Sequence, residues 1–198
     1  GETTTSITVN PTATTNYTVT CTPASSGNLV LNPGFESATN FQNWTDWGHS
    51  SVTTVAGEVR TGTKAAKVNT IDYWGGFGQD IAVTPGELIT FTFWGKALNT
   101  NVFSSFDYKF MTSAWADVTQ YKSTRISTST YTQYSVTMVV PPNAAWLQLA
   151  FTSNTPSILY IDDISLIKMS GCVSTATSTV SITSVGCQEI CDNGIDDN

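Results

Sequence analysis

Carboxylates in unusual sequence positions are the first residues that could carry chemistry. Glu36 follows a Phe directly after the turn sequence Asn-Pro-Gly in NLVLNPGFES, so the chain must bend just before it. Asp162 and Asp163 interrupt the apolar run YIDDISL, where a charge is costly unless it is paired or bound to a metal. Oxygen atoms from Glu36, one of the two Asp residues and backbone carbonyls at a bend would suit Ca²⁺. The alternative is that these carboxylates accept hydrogen bonds from backbone amides in turns.

Aromatic side chains with small neighbours form a second group of candidates. Sugar rings have apolar C–H faces that stack on aromatic rings, and their hydroxyls bond to amides and carboxylates. Trp94 and Gln148 lie on the strand faces opposite the apolar stripes, so we expect both to face one groove. Any of the Trp residues could instead be packing. The candidate ligand-binding residues are Tyr73, Trp74, Trp94, Trp115, Gln148 and Trp47.

The sequence offers little for catalysis. His49 is the single His, and the chain has no Gly-x-Ser-x-Gly elbow. A glycosidase needs two carboxylates that face each other across a sugar. Asp162 and Asp163 are neighbours, and neighbours on a regular strand point to opposite faces. We therefore expect a protein without catalytic activity of its own.

Composition favours an all-β protein. Charged residues are only 12% of the 198, whereas Thr and Ser are abundant. Apolar residues alternate with polar ones in ITFTFWGKA, WLQLAFTS and the stretch before Pro141, and turn sequences separate these runs. This pattern predicts a β-sandwich or a barrel. A net charge of -7 argues against nucleic acid as a partner, and no apolar run approaches the length of a membrane span.

Four cysteines lie outside the central 150 or so residues. This distribution suits an oxidising compartment and disulfides in the outer segments. Zinc is the alternative, but no Cys-x-x-Cys pair is present. The chain begins without Met and ends in Asp-Asp-Asn, so we interpret it as a fragment of a longer secreted protein. The predicted disulfide cysteines are Cys21, Cys172, Cys187 and Cys191.

An ordered series of motifs across residues 28–168 resembles β-jelly-roll carbohydrate-binding modules of the xylan- and glucan-binding group. The series is NLVLNPGFES, RTGTKAAKV, GFGQDIAVTPGELITFTFWGKA, YTQYSVTMVVPPNAAWLQLAF and LYIDDISLI. The resemblance implies two antiparallel sheets, a glycan site in a groove or at loop ends, and one structural calcium. Carried onto this sequence, the implied calcium ligands are Glu36, a carbonyl near Lys64, and Asp163 or Asp162. It also implies that Trp44 lies in the core.

The flanks resemble strands of immunoglobulin-like repeats in large bacterial surface proteins. TTNYTVTC and GCVSTATSTVSI are the two halves of one hairpin on this interpretation, which would let Cys21 bridge to Cys172. The alternative is that both flanks are Thr/Ser-rich linkers. The predicted organisation is immunoglobulin-like strands at 1–25, a jelly-roll module at 26–169, an immunoglobulin-like strand at 170–186, and at 187–198 a linker that resembles the start of an Asp-rich calcium repeat.

The sequence therefore predicts a non-catalytic module that targets a secreted or cell-surface bacterial protein to a polysaccharide. Calcium would support the fold, and other domains of a longer parent chain would be its neighbours. One alternative is an adhesin or structural module that binds no glycan. Another is an accessory domain of a polysaccharide-degrading enzyme.

Overall fold

The computed structural model of the protein describes residues 15–19, 24–25, 27–71, 73–170 and 176–180. The chain divides into two compact units, one made of Ala24–Ser170 and the other of Gly1–Pro23 with Gly171–Asn198. None of the described segments contains a helix that is long and apolar enough to cross a membrane. The four cysteines and the tail 187–198 lie outside the described residues, so the disulfides predicted for Cys21, Cys172, Cys187 and Cys191 stay predictions.

Thirteen strands and no helix form the regular secondary structure of the described residues. They are β1 (Thr15–Val19), β2 (Ala24–Ser25), β3 (Thr45–Asp46), β4 (Ser50–Thr53), β5 (Ala65–Thr70), β6 (Gly75–Ala82), β7 (Leu88–Ala97), β8 (Ser104–Met111), β9 (Lys122–Arg125), β10 (Thr132–Val139), β11 (Trp146–Ser153), β12 (Ser157–Ser170) and β13 (Ala176–Val180).

Two antiparallel sheets make up the unit Ala24–Ser170. Sheet I has the strand order β10-β7-β12-β5-β4, and β2 pairs with the end of β12. Sheet II has the order β3-β6-β11-β8-β9. The two sheets pack into a sandwich of the jelly-roll kind, because each has one apolar face that must be covered. The predicted all-β class is confirmed.

The core lies between the sheets and is rich in phenylalanine. Burial alternates residue by residue along the whole of β7, as the sequence pattern predicted. Phe91 of β7 stacks on Phe106 of β8 with ring centroids 4.4 Å apart, which joins sheet I to sheet II. A fully buried Phe stabilises a fold by about 1.5–3 kcal/mol through apolar burial. The largest fully buried aromatic side chains are Phe35, Phe77, Phe91, Phe93, Phe106 and Phe151.

The Asn-Pro-Gly turn anchors an aromatic residue in this core. Asn32 and Phe35 both adopt left-handed backbone conformations, with φ of 52° and 60°, and the Phe35 amide donates to the Asn32 carbonyl. Phe35 is fully buried, and its ring lies 5.5 Å from that of Trp44. The indole N–H of Trp44 donates to the Asn32 carbonyl at 3.1 Å. Both the bend and the core position of Trp44 were predicted correctly.

In the flanking unit, β1 and β13 pair as antiparallel strands. Thr15 lies opposite Val180, and Val19 lies opposite Ala176. These strands belong to the two segments that sequence analysis placed in one hairpin. The immunoglobulin-like assignment itself stays a prediction.

Candidate functional site

The outer face of sheet II carries an open groove with a volume of about 670 Å³. Its floor is β11, where Gln148, Ala150 and Thr152 point outward because the residues between them are buried in the core. Trp47 and Trp74 lie on the β6 side of this floor, and Asp107 and Tyr121 lie on the β8 side.

Glycines on β6 make room for the tryptophan side of the groove. A Cβ atom at Gly78 would lie 2.3 Å from Cη2 of Trp47, so the indole rests directly on the strand. The Trp47 amide donates to the Gly76 carbonyl at 2.8 Å, which fixes the position of the backbone. The rings of Trp47 and Trp74 stack with centroids 6.4 Å apart and planes 14° apart. Because 46% of Trp74 is exposed, the pair offers an accessible aromatic surface.

On the β8 side of the groove, opposite the tryptophans, three hydroxyl groups hold the carboxylate of Asp107. Asp107 accepts hydrogen bonds from Ser105 and Thr152, both at 2.8 Å, and from Ser123. These hydroxyls come from β8, β11 and β9, so three strands fix the orientation of one side chain. The Asp107 carboxylate is therefore held in one orientation, so one more hydrogen bond to it would cost little further ordering.

Gln148 is fixed in the middle of the groove. Its amide oxygen accepts from the Tyr121 hydroxyl, and its amide nitrogen donates to Asp80 at 3.1 Å. Burial raises the pKa of Tyr121, so its hydroxyl stays protonated and remains a donor at neutral pH.

Lys109 lies 4.7 Å from the Tyr121 ring centre and pairs with Asp117 at 2.7 Å. The hydrogen bond to Asp117 is the main cause that raises the pKa of Lys109.

The structure brings three of the six candidate ligand-binding residues, Trp47, Trp74 and Gln148, into one groove. Tyr73 directly precedes Trp74 in the chain; it is exposed, and its ring lies edge-on to that of His49, with centroids 4.5 Å apart. The other predicted aromatic residues lie elsewhere.

The prediction that Trp94 shares a groove with Gln148 is wrong. Trp94 lies on β7 in sheet I, whereas Gln148 lies on β11 in sheet II. Both point outward, and the outer faces of a sandwich look in opposite directions. The Arg60 guanidinium covers the Trp94 ring at 3.7 Å, which is a cation–π contact. Alternation identified the outward face of each strand but not the sheet to which the strand belongs.

Trp115 lies outside the groove, in the loop between β8 and β9. It stacks on Trp146 with ring centroids 5.0 Å apart. Trp146 points outward at the first position of β11, on the same face of sheet II as Gln148.

Glu36 binds the chain segment that precedes β5. Its carboxylate accepts from the amides of Thr63 and Lys64, at 2.8 and 2.9 Å, and from the Thr63 hydroxyl at 2.6 Å. The hydroxyl bond is the main cause that lowers the pKa of Glu36. Gly62 has a φ of 66°, and a Cβ there would lie 2.2 Å from Oε1 of Glu36. The close approach of this acid thus requires glycine.

Asp162 and Asp163 hold the adjoining residues of the same segment. Asp162 is fully buried and accepts from the amides of Arg60 and Thr61, at 3.0 and 3.2 Å. Asp163 has a φ of 49°, accepts from the Thr61 hydroxyl at 2.5 Å and pairs with the Arg60 guanidinium. Amide contacts of this kind were the alternative to metal binding in the sequence analysis.

Several features of this region suit a hard cation. The side chains of Asp162 and Glu36 both approach Gly34. Oδ1 of Asp162 and Cγ of Glu36 each lie 3.7 Å from the position that a Cβ atom on Gly34 would occupy. Burial raises the pKa of Asp162 to about 6, and no ion pair among the described side chains neutralises it. In the described part of the chain, no three His, Cys, Asp or Glu side chains converge on a metal position. A calcium ion would therefore need backbone carbonyls to complete its oxygen shell.

Sequence reasoning missed three contributors to the groove. Asp107 alternates with buried residues in SSFDYKF, so its outward position could have been read from the sequence. Gly78 could have been suspected because glycine within a strand often marks a close approach. Tyr121 carries no such signal, since it reaches Gln148 only after β8 and β9 have paired beside β11.

The sandwich and its aromatic groove together define a ligand-binding β-sandwich domain. The family model described as carbohydrate binding domain matches residues 27–157. The chain belongs to this family, and the match covers most of the unit that contains the groove. Among curated proteins, no match to the chain was found.

Solved structures with a similar fold include two binding modules. Family 16 Carbohydrate Binding Module-2 is 20% identical with a TM-score of 0.58, over 70% of this chain and 99% of that one. The CBM22-1 xylan-binding domain from Paenibacillus barcinonensis Xyn10C is 15% identical with a TM-score of 0.55, over 75% and 99%.

A phage protein is similar over one part of its length. The enzymatically active domain of bacteriophage CBA120 tailspike protein 4 is 20% identical with a TM-score of 0.60, and the match covers 70% of this chain. It covers only 21% of the tailspike chain. At such identities the likeness of all three structures concerns the fold alone.

Proposed function

We propose that the protein is a non-catalytic carbohydrate-binding module that holds a secreted bacterial protein on a polysaccharide. The observation that carries this proposal is the Trp47–Trp74 pair beside a floor of fixed polar groups. A sugar ring can stack its C–H face on the indoles while its hydroxyls reach Asp107 and Gln148. Among the similar structures are a carbohydrate-binding module and a xylan-binding domain, which supports the same ligand class.

The groove carboxylates favour binding over catalysis. Asp107 accepts three hydroxyl hydrogen bonds, and Asp80 accepts one from Gln148. A general acid must hold a proton and present it to the bond that breaks. These carboxylates are instead arranged as acceptors. The four cysteines of the sequence support a secreted or cell-surface location.

A glycan screen with matched tryptophan variants tests this function. Affinity electrophoresis against a panel of soluble polysaccharides identifies a ligand, and calorimetry then measures its affinity. Trp74→Ala is expected to weaken binding at least tenfold with little change in melting temperature, because the side chain is half exposed. Trp94→Ala is the matched control: it removes the contact with Arg60 on the other sheet and leaves glycan affinity unchanged. Failure of the unmodified protein to bind any glycan would favour an adhesin or structural module instead.

We also propose that one structural calcium is bound by Glu36, a carbonyl near Lys64, and Asp162 or Asp163. The buried Asp162 carboxylate and the nearby Glu36 support this, since a divalent cation would offset the cost of burying charge. The ion would tie the turn after the first apolar run to the last strand of the sandwich. Its contribution would be to stability, because none of these residues lines the groove.

Thermal melting with calcium or a chelator tests the proposed ion. Calcium should raise the melting temperature of the unmodified protein, as any ligand of the folded state does. Glu36→Gln should abolish that rise, whereas Glu87→Gln, an acid elsewhere in the fold, should keep it. Unchanged melting of the unmodified protein in calcium and in chelator would overturn the proposal. Glycan affinity measured in chelator then shows whether the ion also shapes the groove.

A further inference from the structure

A second tryptophan pair lies on the groove face of sheet II, outside the groove itself. Trp115 stacks on Trp146 with centroids 5.0 Å apart and planes 12° apart. Trp115 is 52% exposed, so one broad aromatic face is open to solvent. A packing role alone would favour burial of the larger part of such a side chain.

The loop that carries Trp115 is fixed in a strained conformation. Trp115 has a φ of 64°, a region that costs a bulky residue about 1–3 kcal/mol. Four hydrogen bonds hold it there: Thr112 donates its amide to Ala116, accepts the Trp115 amide at its carbonyl, and accepts the amides of Ala114 and Ala116 at its hydroxyl. Strain that the surroundings maintain in this way is typical of a functional position.

The two pairs lie along the same strand face. Trp146, Gln148 and Thr152 all point outward from β11. By the rise of a β-strand, Trp146 is about 7 Å from Gln148 and about 20 Å from Thr152, and both of these residues line the groove. The latter distance spans several pyranose rings joined end to end.

We propose that Trp115 and Trp146 form a second sugar-stacking site, so that one extended polysaccharide chain lies along β11 from the Trp47–Trp74 pair to this one. The inference rests on the proposed carbohydrate-binding function and specifies its ligand as an internal stretch of an extended chain. Gln148 lies between the pairs and can bond to hydroxyls of the rings that cross it.

Oligosaccharides of increasing length test this inference. The test uses the full chain and a soluble homopolysaccharide that it binds, together with the di- to hexasaccharides of that polymer. Affinity of the unmodified protein should rise with length until the oligosaccharide reaches Trp115. Trp115→Ala should weaken binding of the longest oligosaccharides about tenfold and leave the shortest unchanged, whereas Trp115→Phe should keep most of the affinity. Trp74→Ala should weaken binding at every length.

Three outcomes would overturn the second site. If Trp115→Ala binds all lengths as the unmodified protein does, the second site is absent while the groove function stands. If it lowers the melting temperature and weakens all lengths equally, the pair is packing that supports the groove. If the unmodified protein binds no glycan of any kind, both the second site and the carbohydrate-binding function fall.

Discussion

Close contacts at some positions of this domain allow only one type of residue. Gly62 is the sharpest case, since its left-handed φ and the carboxylate of Glu36 both exclude a Cβ. Gly57 has a similar φ of 84°, but a Cβ there would meet nothing within 4 Å. A comparison of alanine substitutions at the two glycines therefore separates the cost of the backbone conformation from the cost of losing the Glu36 contacts.

Gly62→Ala should destabilise the protein by about 2–4 kcal/mol, because it adds the loss of Glu36 hydrogen bonds to the left-handed penalty. Gly57→Ala should cost about 1–2 kcal/mol, from the backbone penalty alone. Urea denaturation measures both. In a Glu36→Ala background the two alanine substitutions should cost the same. Equal costs in the unmodified background would contradict the close contact at Gly62.

The contacts of Glu58 predict how the free energy of unfolding depends on pH. It accepts hydrogen bonds from Thr53, Tyr160 and Lys67, and the Thr53 hydroxyl is the largest of the causes that lower its pKa from 4.5 to about 2. A lowered pKa in the folded state means that the contribution is complete above pH 4.5 and is lost as the pH falls to about 2. The side chain is 23% exposed, so solvent screens it only in part.

Glu58→Gln should lower the free energy of unfolding at pH 7 by about 2–3 kcal/mol, given the size of the pKa shift. The difference between the variant and the unmodified protein should shrink from pH 4.5 downward and vanish near pH 2. Denaturant titrations across this range measure it. A difference that stays constant with pH would mean that the carboxylate charge is not responsible.

Among the strands, β6 shows how an element shapes the groove. Its glycines leave a flat surface on which Trp47 rests, and β11 supplies polar side chains beside it. A strand with larger residues at these positions would lift the indole away from the floor. The groove thus depends on the absence of side chains in β6 as much as on the tryptophans.

Gly78→Ala should weaken glycan binding and also reduce stability by about 1–3 kcal/mol. The added methyl group would lie 2.3 Å from Trp47 and 2.4 Å from the Leu149 carbonyl oxygen, so both the ring and the strand must shift. Gly27→Ala is the control, because a Cβ there meets nothing within 4 Å. Trp fluorescence and calorimetry measure the two effects. Unchanged binding by a folded Gly78→Ala variant would remove Trp47 from the site.

At the scale of the whole molecule, one unit contains the entire described core. All members of its hydrophobic cluster, from Val30 to Leu166, lie within Ala24–Ser170. The residues that line the groove belong to the same unit. Folding and binding should therefore be properties of this unit alone.

A fragment of residues 24–170 should fold and bind the same glycan with the affinity of the full chain. Its melting temperature should stay close to that of this unit in the full chain, because the core is complete without the flanks. Calorimetric melting and glycan titration of both proteins test this. An unfolded fragment, or one that has lost binding, would show that the flanks contribute to the unit.

Local sequence signals predicted much of this domain because they depend on a few neighbouring residues. The period-two pattern of β7 and β11 gave the strands and their buried faces, and Asn-Pro-Gly gave the bend that anchors Phe35. The candidate residues Trp47 and Trp74 do line the groove, and their role in ligand binding stays a prediction. The family resemblance, read from an ordered series of motifs, agrees with the family that the chain matches.

The sequence by itself thus determined the fold class, the core residues and the outward faces, since side-chain alternation and turn chemistry act over a few residues. Only the tertiary structure decided which outward residues meet. It placed Trp94 under Arg60 on sheet I and left Trp47, Trp74 and Gln148 together on sheet II. Strand order arises from pairings between residues far apart in the chain, such as those that place β11 between β6 and β8. The residue pattern of a single strand does not indicate which strands pair with it.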